Sequence, residues 1–140
     1  MTLALPCGLL CAAMAAAAPG TDASLPKFGR CLAGHGVSTT LVAGQRLELA
    51  ARLPATTTLD AAFTACRQHV RWPRDFAHVG RALYSLRDHG RRFRSCMREH
   101  GRDPGRPILF LGSIGIGLHF TKLNTAPPPD CARLLPGGLR

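Results

Sequence analysis

The sequence predicts an α+β, helix-rich fold: two tandem helix-hairpin-helix modules, each with one disulfide, packed along a long central helix. Three observations carry that expectation: four evenly spaced cysteines, a block of residues repeated with them, and short period-two apolar segments lying between helical ones. Cys31 stands 35 positions before Cys66 and Cys96 stands 35 before Cys131, so the halves superimpose at an offset of 65 without a gap. At that offset Phe28, Leu32, His35 and Gly36 are answered by Phe93, Met97, His100 and Gly101. Self-similarity at a fixed period is the mark of a repeated unit. It divides the chain into module 1 over residues 21-72 and module 2 over residues 73-140.

Residues 1-20 read as an export signal. Leu3 to Ala18 form an uncharged Ala- and Leu-rich run followed by Pro19, Gly20 and the polar Thr21 and Asp22, with small-residue cleavage options around Ala16 to Ala18. No basic residue precedes the run, the first being Lys27. The signal is therefore atypical or starts upstream of Met1. The run falls short of the roughly 20 residues a membrane span needs. Neither Cys7 nor Cys11 follows a small residue, which argues against a lipid anchor.

The opening block of each module has helical spacing. Phe28, Cys31, Leu32 and His35 fall on one face at i, i+3, i+4 and i+7, and Gly36 supplies the left-handed residue that ends a helix. Phe93, Cys96, Met97, His100 and Gly101 repeat this. Ahead of the second block, Phe76, Val79, Leu83, Leu86 and Gly90 recur at steps of three and four. They predict a long amphipathic helix entered after Pro73, with Gly80 and Gly90 as weak points, along which the modules share a core.

A hairpin follows each block. Ser38 to Val42 and Leu47 to Leu49 flank Ala43 and Gly44. In the second half Ile108 to Leu111 precede Gly112 and Ser113, and then Ile114, Ile116, Leu118 and Phe120 alternate at period two. Each half closes on a helix carrying its second cysteine: Leu59 to Val70 around Cys66, and Asp130 to Leu135 around Cys131, the latter held to about two turns by Pro127, Pro128 and Pro129.

Six cysteines is a high count for 140 residues, and two lie within the export signal. The remaining four, an even number in an exported chain, point to two disulfides. A module of this size buries too little apolar area to be comfortable alone, and each bridge would remove unfolded-state entropy worth roughly 4 kcal/mol. Four cysteines permit three connectivities. A module that folds by itself favours Cys31 with Cys66 and Cys96 with Cys131, while pairing Cys31 with Cys96 and Cys66 with Cys131 is equally symmetric.

The blocks Phe28-Gly29-Arg30-Cys31-Leu32-Ala33-Gly34-His35-Gly36-Val37 and Phe93-Arg94-Ser95-Cys96-Met97-Arg98-Glu99-His100-Gly101 resemble a pattern found in small, largely uncharacterised exported proteins of actinobacteria. That pattern runs Phe-x-x-Cys-Met-Arg-x-His/Asn-Gly-Val, then a Pro-Asp-Pro-like loop, an apolar hairpin and a helix ending Ala-Ala-x-x-Ala-Cys. Ala61-Ala62-Phe63-Thr64-Ala65-Cys66 fits the ending well. The second half departs from it with Ala126-Pro127-Pro128-Pro129-Asp130-Cys131, and the loop is only hinted at by Asp103-Pro104. The resemblance implies location and fold, not chemistry.

Two constellations carry candidate chemistry. Cys-x-x-x-His occurs in both halves and sets sulfur and imidazole on one helix face, a spacing that suits copper or zinc through His35 and His100. A disulfide would remove the thiolate, and the plainer reading puts both histidines in a last helical turn, facing the negative end of the helix dipole. His69, His78, His89 and His119 form no compact motif.

The second constellation is the positive patch Arg91, Arg92, Arg94, Arg98 and Arg102, the densest part of a chain with formal charge +10. It suits an anionic envelope polymer, a membrane surface or an export-complex protein. The plainer reading is a solvated helix face in a sequence whose Arg, Ala, Gly and Pro reflect a GC-rich genome. Nucleic acid is disfavoured, since aromatics are few and export removes the usual target.

No Gly-x-Ser-x-Gly, His-Glu-x-x-His or phosphate-binding loop is present. Ser24-Leu25-Pro26-Lys27 stands without the partner motifs of serine acyl-enzymes, and no carboxylate pair stands out. The sequence thus predicts a secreted or cell-envelope binding or structural protein, with no catalytic activity and no cofactor. The alternative is an extracytoplasmic metal-handling protein with reduced cysteines.

Overall fold

The computed structural model describes residues 24–72 and 76–136. The expected signal over residues 1-20 lies outside them. Helix α1 (Leu25–Gly34) begins with Pro26 in its first turn, where the preset φ suits a helix start. It buries Leu25, Phe28 and Leu32 completely.

Its end follows from Gly36. At φ +85° that residue lets its own N–H bond Ala33 O at 3.2 Å, and the Val37 N–H reaches back to Leu32 O at 2.9 Å. Two orphan carbonyls are satisfied, and the buried Val37 follows at the position where an apolar contact usually completes such a cap. The same bonds close helix α3 (Val79–Glu99): Gly101 at φ +71° bonds Arg98 O, and the Arg102 N–H bonds Met97 O, both at 2.9 Å.

Between these helices run β1 (Thr39–Val42), β2 (Arg46–Leu49) and α2 (Thr56–Cys66). After α3 come β3 (Pro107–Leu111), β4 (Ile116–Phe120) and the single turn α4 (Pro129–Ala132). Short 3-10 turns at Arg67–His69 and Phe76–His78 close α2 and lead into α3.

The α+β class is as the sequence predicts, but the expectation of two tandem helix-hairpin-helix modules is wrong. Strands β2 and β3 pair antiparallel, Leu47 opposite Leu111 and Glu48 opposite Phe110. The two hairpins thereby fuse into one four-stranded sheet of order β1-β2-β3-β4, against which the long α3 packs. The physical reason is edge pairing. A lone two-stranded hairpin is marginal in water and exposes two unpaired edges, whereas joining two hairpins satisfies one edge of each.

A continuous core crosses the join. Leu47, Leu49, Leu109, Leu111, Leu118 and Phe120 of the sheet are buried with Leu83, Leu86, Phe93 and Met97 of α3. Phe93 and Phe120 lie 4.7 Å apart between ring centroids. In the first half Phe28 packs edge-on to Phe63 and Trp72, both at 5.6 Å. Trp72 then donates from Nε1 to Gly112 O in the second half at 2.9 Å.

The glycines that look like weak points of α3 are its closest contacts. A Cβ on Gly80 would sit 2.7 Å from Thr56 O, and the Gly80 N–H donates to Asp60 Oδ1 at 2.7 Å. A Cβ on Gly90 would sit 3.0 Å from Pro107 Cβ and 3.2 Å from Leu118. Helix propensity is given up there so that α2 and the sheet can approach. Two local expectations also shift. Ile114, expected in a strand, stands in the β3–β4 turn and is 84% exposed, and the last helix covers only Pro129–Ala132. Among the described residues no helix is long and apolar enough to cross a membrane.

Candidate functional site

Each half of the molecule has a corner where a helix C-terminus meets a second helix through a disulfide. Cys31 of α1 is bonded to Cys66 at the end of α2, with Cα atoms 5.8 Å apart; Cys96 of α3 is bonded to Cys131 of α4, with Cα atoms 5.5 Å apart. This is the within-half connectivity of the alternatives the sequence allows. In both corners one cysteine is fully buried, Cys66 in the first and Cys131 in the second.

The histidine four residues after each first cysteine caps its helix, His35 on α1 and His100 on α3. The helical spacing brings each imidazole to its own disulfide. Ligand atoms of Cys31, His35 and Cys66 lie within 4.8 Å of one another, and so do those of Cys96, His100, Asp130 and Cys131. The sulfurs are tied up in disulfides, and metal ligation needs deprotonated thiols, so these sets are not thiolate sites in the bridged protein.

The corners differ in one acid. His100 Nε2 lies 2.9 Å from Asp130 Oδ2, joining the end of α3 to the start of α4 across exposed surface. The hydrogen bond and charge of His100 hold the Asp130 carboxyl below its ordinary value of 3.8, with help from the backbone N–H groups of Asp130 and Cys131. Ala65 stands at the matching place in the first half, and no side chain among the described residues hydrogen-bonds the ring of His35.

The arginine patch resolves into parts with different roles. Arg91, Arg94 and Arg98, preceded by Arg87, follow i, i+4, i+7 and i+11 along α3 and so share one side of it. Arg91 and Arg98 are exposed. Arg87 and Arg94 are half-buried, and the Nε of each is buried with no hydrogen-bond partner. Arg87 also lies over the Tyr84 ring at 4.5 Å.

Arg92 points to a different side of the helix. Arg102 lies beyond α3 and is committed to structure, donating to Ala126 O at 3.1 Å and to Thr125 Oγ1. Asp103 is the acid whose field the stripe feels. The Gly105 N–H first, and then Lys122, Arg94 and Arg98, hold its carboxyl below the ordinary value.

No family model, curated protein or solved structure matches the chain. Sequence reasoning missed Asp130 as a corner residue, because its neighbour Cys131 belongs to the disulfide pattern and an acid before a cysteine carries no spacing signal. The one usable hint was the contrast between Asp130 and Ala65 at matching positions. It also missed Glu48, which takes contacts from Arg46 at 3.2 Å and His119 at 3.3 Å on the outer face of the sheet. Arg46 and Glu48 are neighbours on one face of β2, whereas His119 reaches Glu48 only because β2 and β3 pair and bring β4 alongside.

Proposed function

We propose that the protein is an exported, disulfide-stapled binding or structural component of the cell envelope, without catalytic activity, that holds anionic surfaces through the stripe Arg87, Arg91, Arg94 and Arg98. The observation that carries this reading is the absence of ion pairs along the stripe: none of the four makes one among the described residues. Guanidinium groups that share one side of a packed helix and form no ion pair suit phosphate or carboxylate oxygens.

Two bridges fit an oxidising compartment. The repeated Phe-x-x-Cys-(Leu/Met)-x-x-His-Gly block, read as a duplication, and the resemblance to small exported actinobacterial proteins support the envelope as the place of action. An export-complex protein with an acidic face is a partner of the same chemistry.

The test is co-sedimentation of the oxidised protein with vesicles of phosphatidylglycerol and phosphatidylcholine against phosphatidylcholine alone. Binding is expected only with the anionic lipid, weakening as salt rises. Replacing Arg91, Arg94 and Arg98 by Gln should lower it at least about tenfold, since each basic residue at an anionic surface contributes about 1 kcal/mol. Equal binding to both vesicles, or an unchanged triple variant, contradicts the reading.

A further inference from the structure

The bridged corners hold no free thiolate, and the metal-handling reading of the Cys-x-x-x-His pairs therefore concerns the reduced protein only. There the two corners are unequal. We propose that reduction of the Cys96–Cys131 bridge turns the C-terminal corner into a zinc site with Cys96, Cys131, His100 and Asp130 as its four ligands, and that this corner binds ahead of its N-terminal counterpart. The proposal is independent of the envelope-binding reading, which concerns the oxidised protein.

The geometry is close to what the ion requires. Tetrahedral zinc with bonds to sulfur, nitrogen and oxygen sets its ligand atoms roughly 3.3–3.8 Å apart, and the four ligand atoms here already lie within 4.8 Å of one another. They come from the last turn of α3, which is fixed independently of the bridge, and from α4, which the ion would hold in the bridge's place. The last turn of α3 presents Cys96 and His100 on one face, and its end is closed by the Gly101 and Arg102 backbone bonds. The first turn of α4 presents Asp130 and Cys131, and Arg102 ties down the preceding Thr125 and Ala126.

Opening the disulfide frees the two sulfurs to move from bonding distance to ligand spacing, a shift that side-chain rotation supplies. Cys131 is buried while His100 and Asp130 are exposed, 40% and 51% by side chain, so the set has an apolar floor and an open approach. Two thiolates, one imidazole and one carboxylate match zinc in softness and number. Among the described residues the first corner offers Cys31, Cys66 and His35 only, and water would have to complete the ion's coordination there.

The chemistry balances with a phosphine as reductant. The phosphorus attacks the disulfide, takes its oxygen from water and leaves as the phosphine oxide, while the two sulfurs take up the electron pair and the two protons of that water. Zn²⁺ then displaces both thiol protons to solvent, so binding is coupled to the release of two protons and strengthens as pH rises.

The full chain, reduced anaerobically with a trialkylphosphine, is titrated with Co²⁺ as a spectroscopic stand-in for zinc and then with Zn²⁺. The first equivalent of Co²⁺ should give the visible d–d bands of a tetrahedral site with sulfur charge transfer, and Zn²⁺ should displace it. His100→Ala and Asp130→Ala should each weaken that first equivalent at least about tenfold, while His35→Ala leaves it within about twofold. A Cys31→Ser/Cys66→Ser variant should keep the tight equivalent, and a Cys96→Ser/Cys131→Ser variant should lose it.

Circular dichroism follows the fold throughout. If reduction unfolds the chain, the first equivalent of Zn²⁺ should restore helical signal in the wild type and not in His100→Ala. Absence of tight binding, equal effects of His35→Ala and His100→Ala, or binding indifferent to Asp130 overturns the proposal.

Discussion

The corner closed by Cys31 and Cys66 and the corner closed by Cys96 and Cys131 start from the same residue pattern and end in different company. In the first, α1 is pinned to an eleven-residue α2 whose Leu59, Ala62 and Phe63 are fully buried beside Phe28. In the second, α3 is pinned to the four-residue α4, which has only Cys131 buried. The first bridge joins two helices that already share a core, whereas the second holds down a turn with almost no core of its own. The second corner adds what the first lacks, an ion pair between His100 and Asp130. Equal covalent chemistry thus does unequal mechanical work.

The largest expected effect breaks that comparison directly. Both bridges close loops of equal length, so chain entropy alone assigns each roughly 4 kcal/mol. Removing the first by Cys31→Ala/Cys66→Ala should approach that full loss of global stability, about 4 kcal/mol. Removing the second by Cys96→Ala/Cys131→Ala should cost less, about 2 kcal/mol, because α4 detaches locally while the sheet and α3 stay folded. Urea unfolding measures the first quantity. Hydrogen exchange confined to residues near α4 distinguishes local release from global loss.

Next in size is the contact through which the first half grips α3. Gly80→Ala pushes a methyl group against Thr56 O and should destabilise the fold by about 1–3 kcal/mol. Gly34→Ala, at the end of α1 with nothing within 4 Å of its Cβ position, should be neutral or stabilising. Thermal unfolding of the two variants separates packing from propensity.

The smallest effect concerns the ion pair that sets the corners apart. The Asp130 carboxyl has a lowered folded value, so its contribution to stability is present above its ordinary value of 3.8 and is lost as acidification carries the pH down through the folded value. In His100→Ala the carboxyl should titrate closer to 3.8 and that acid-limb contribution should shrink. Carboxyl-carbon NMR titration reads the shift. His35→Ala should leave it unchanged.

These contrasts also show what could be read from the residues alone. The spacing of Phe28, Cys31, Leu32, His35 and Gly36, and of their counterparts, marks both helices and their glycine ends, because helical periodicity and left-handed caps are local properties. The hairpins are legible for the same reason, at Leu47 and Leu49 and at Leu109 and Leu111. The pairing of β2 with β3 is not legible. Period two reports which face of a strand is buried and is silent on which edge finds a partner, so one sheet and two separate hairpins share a pattern. Ile114 fits the alternation by parity yet lies in the turn, where Gly112 and Gly115 reverse the chain. In the candidate site the cysteine pairs and histidines were visible through their repeat. Asp130, without a counterpart in the first half, was not. The arginine run was visible as charge, but its division into a stripe along α3 and the structural Arg102 depends on where the chain goes after Gly101.

The two halves are fused into one body, each pinned by its own bridge. Peptide mapping of the non-reduced protein tests this most directly. The expected result is two cross-linked species, Cys31 with Cys66 and Cys96 with Cys131, and no free thiol among the four. Cross-half linkage of Cys31 with Cys96 and Cys66 with Cys131, or four free thiols, would contradict it.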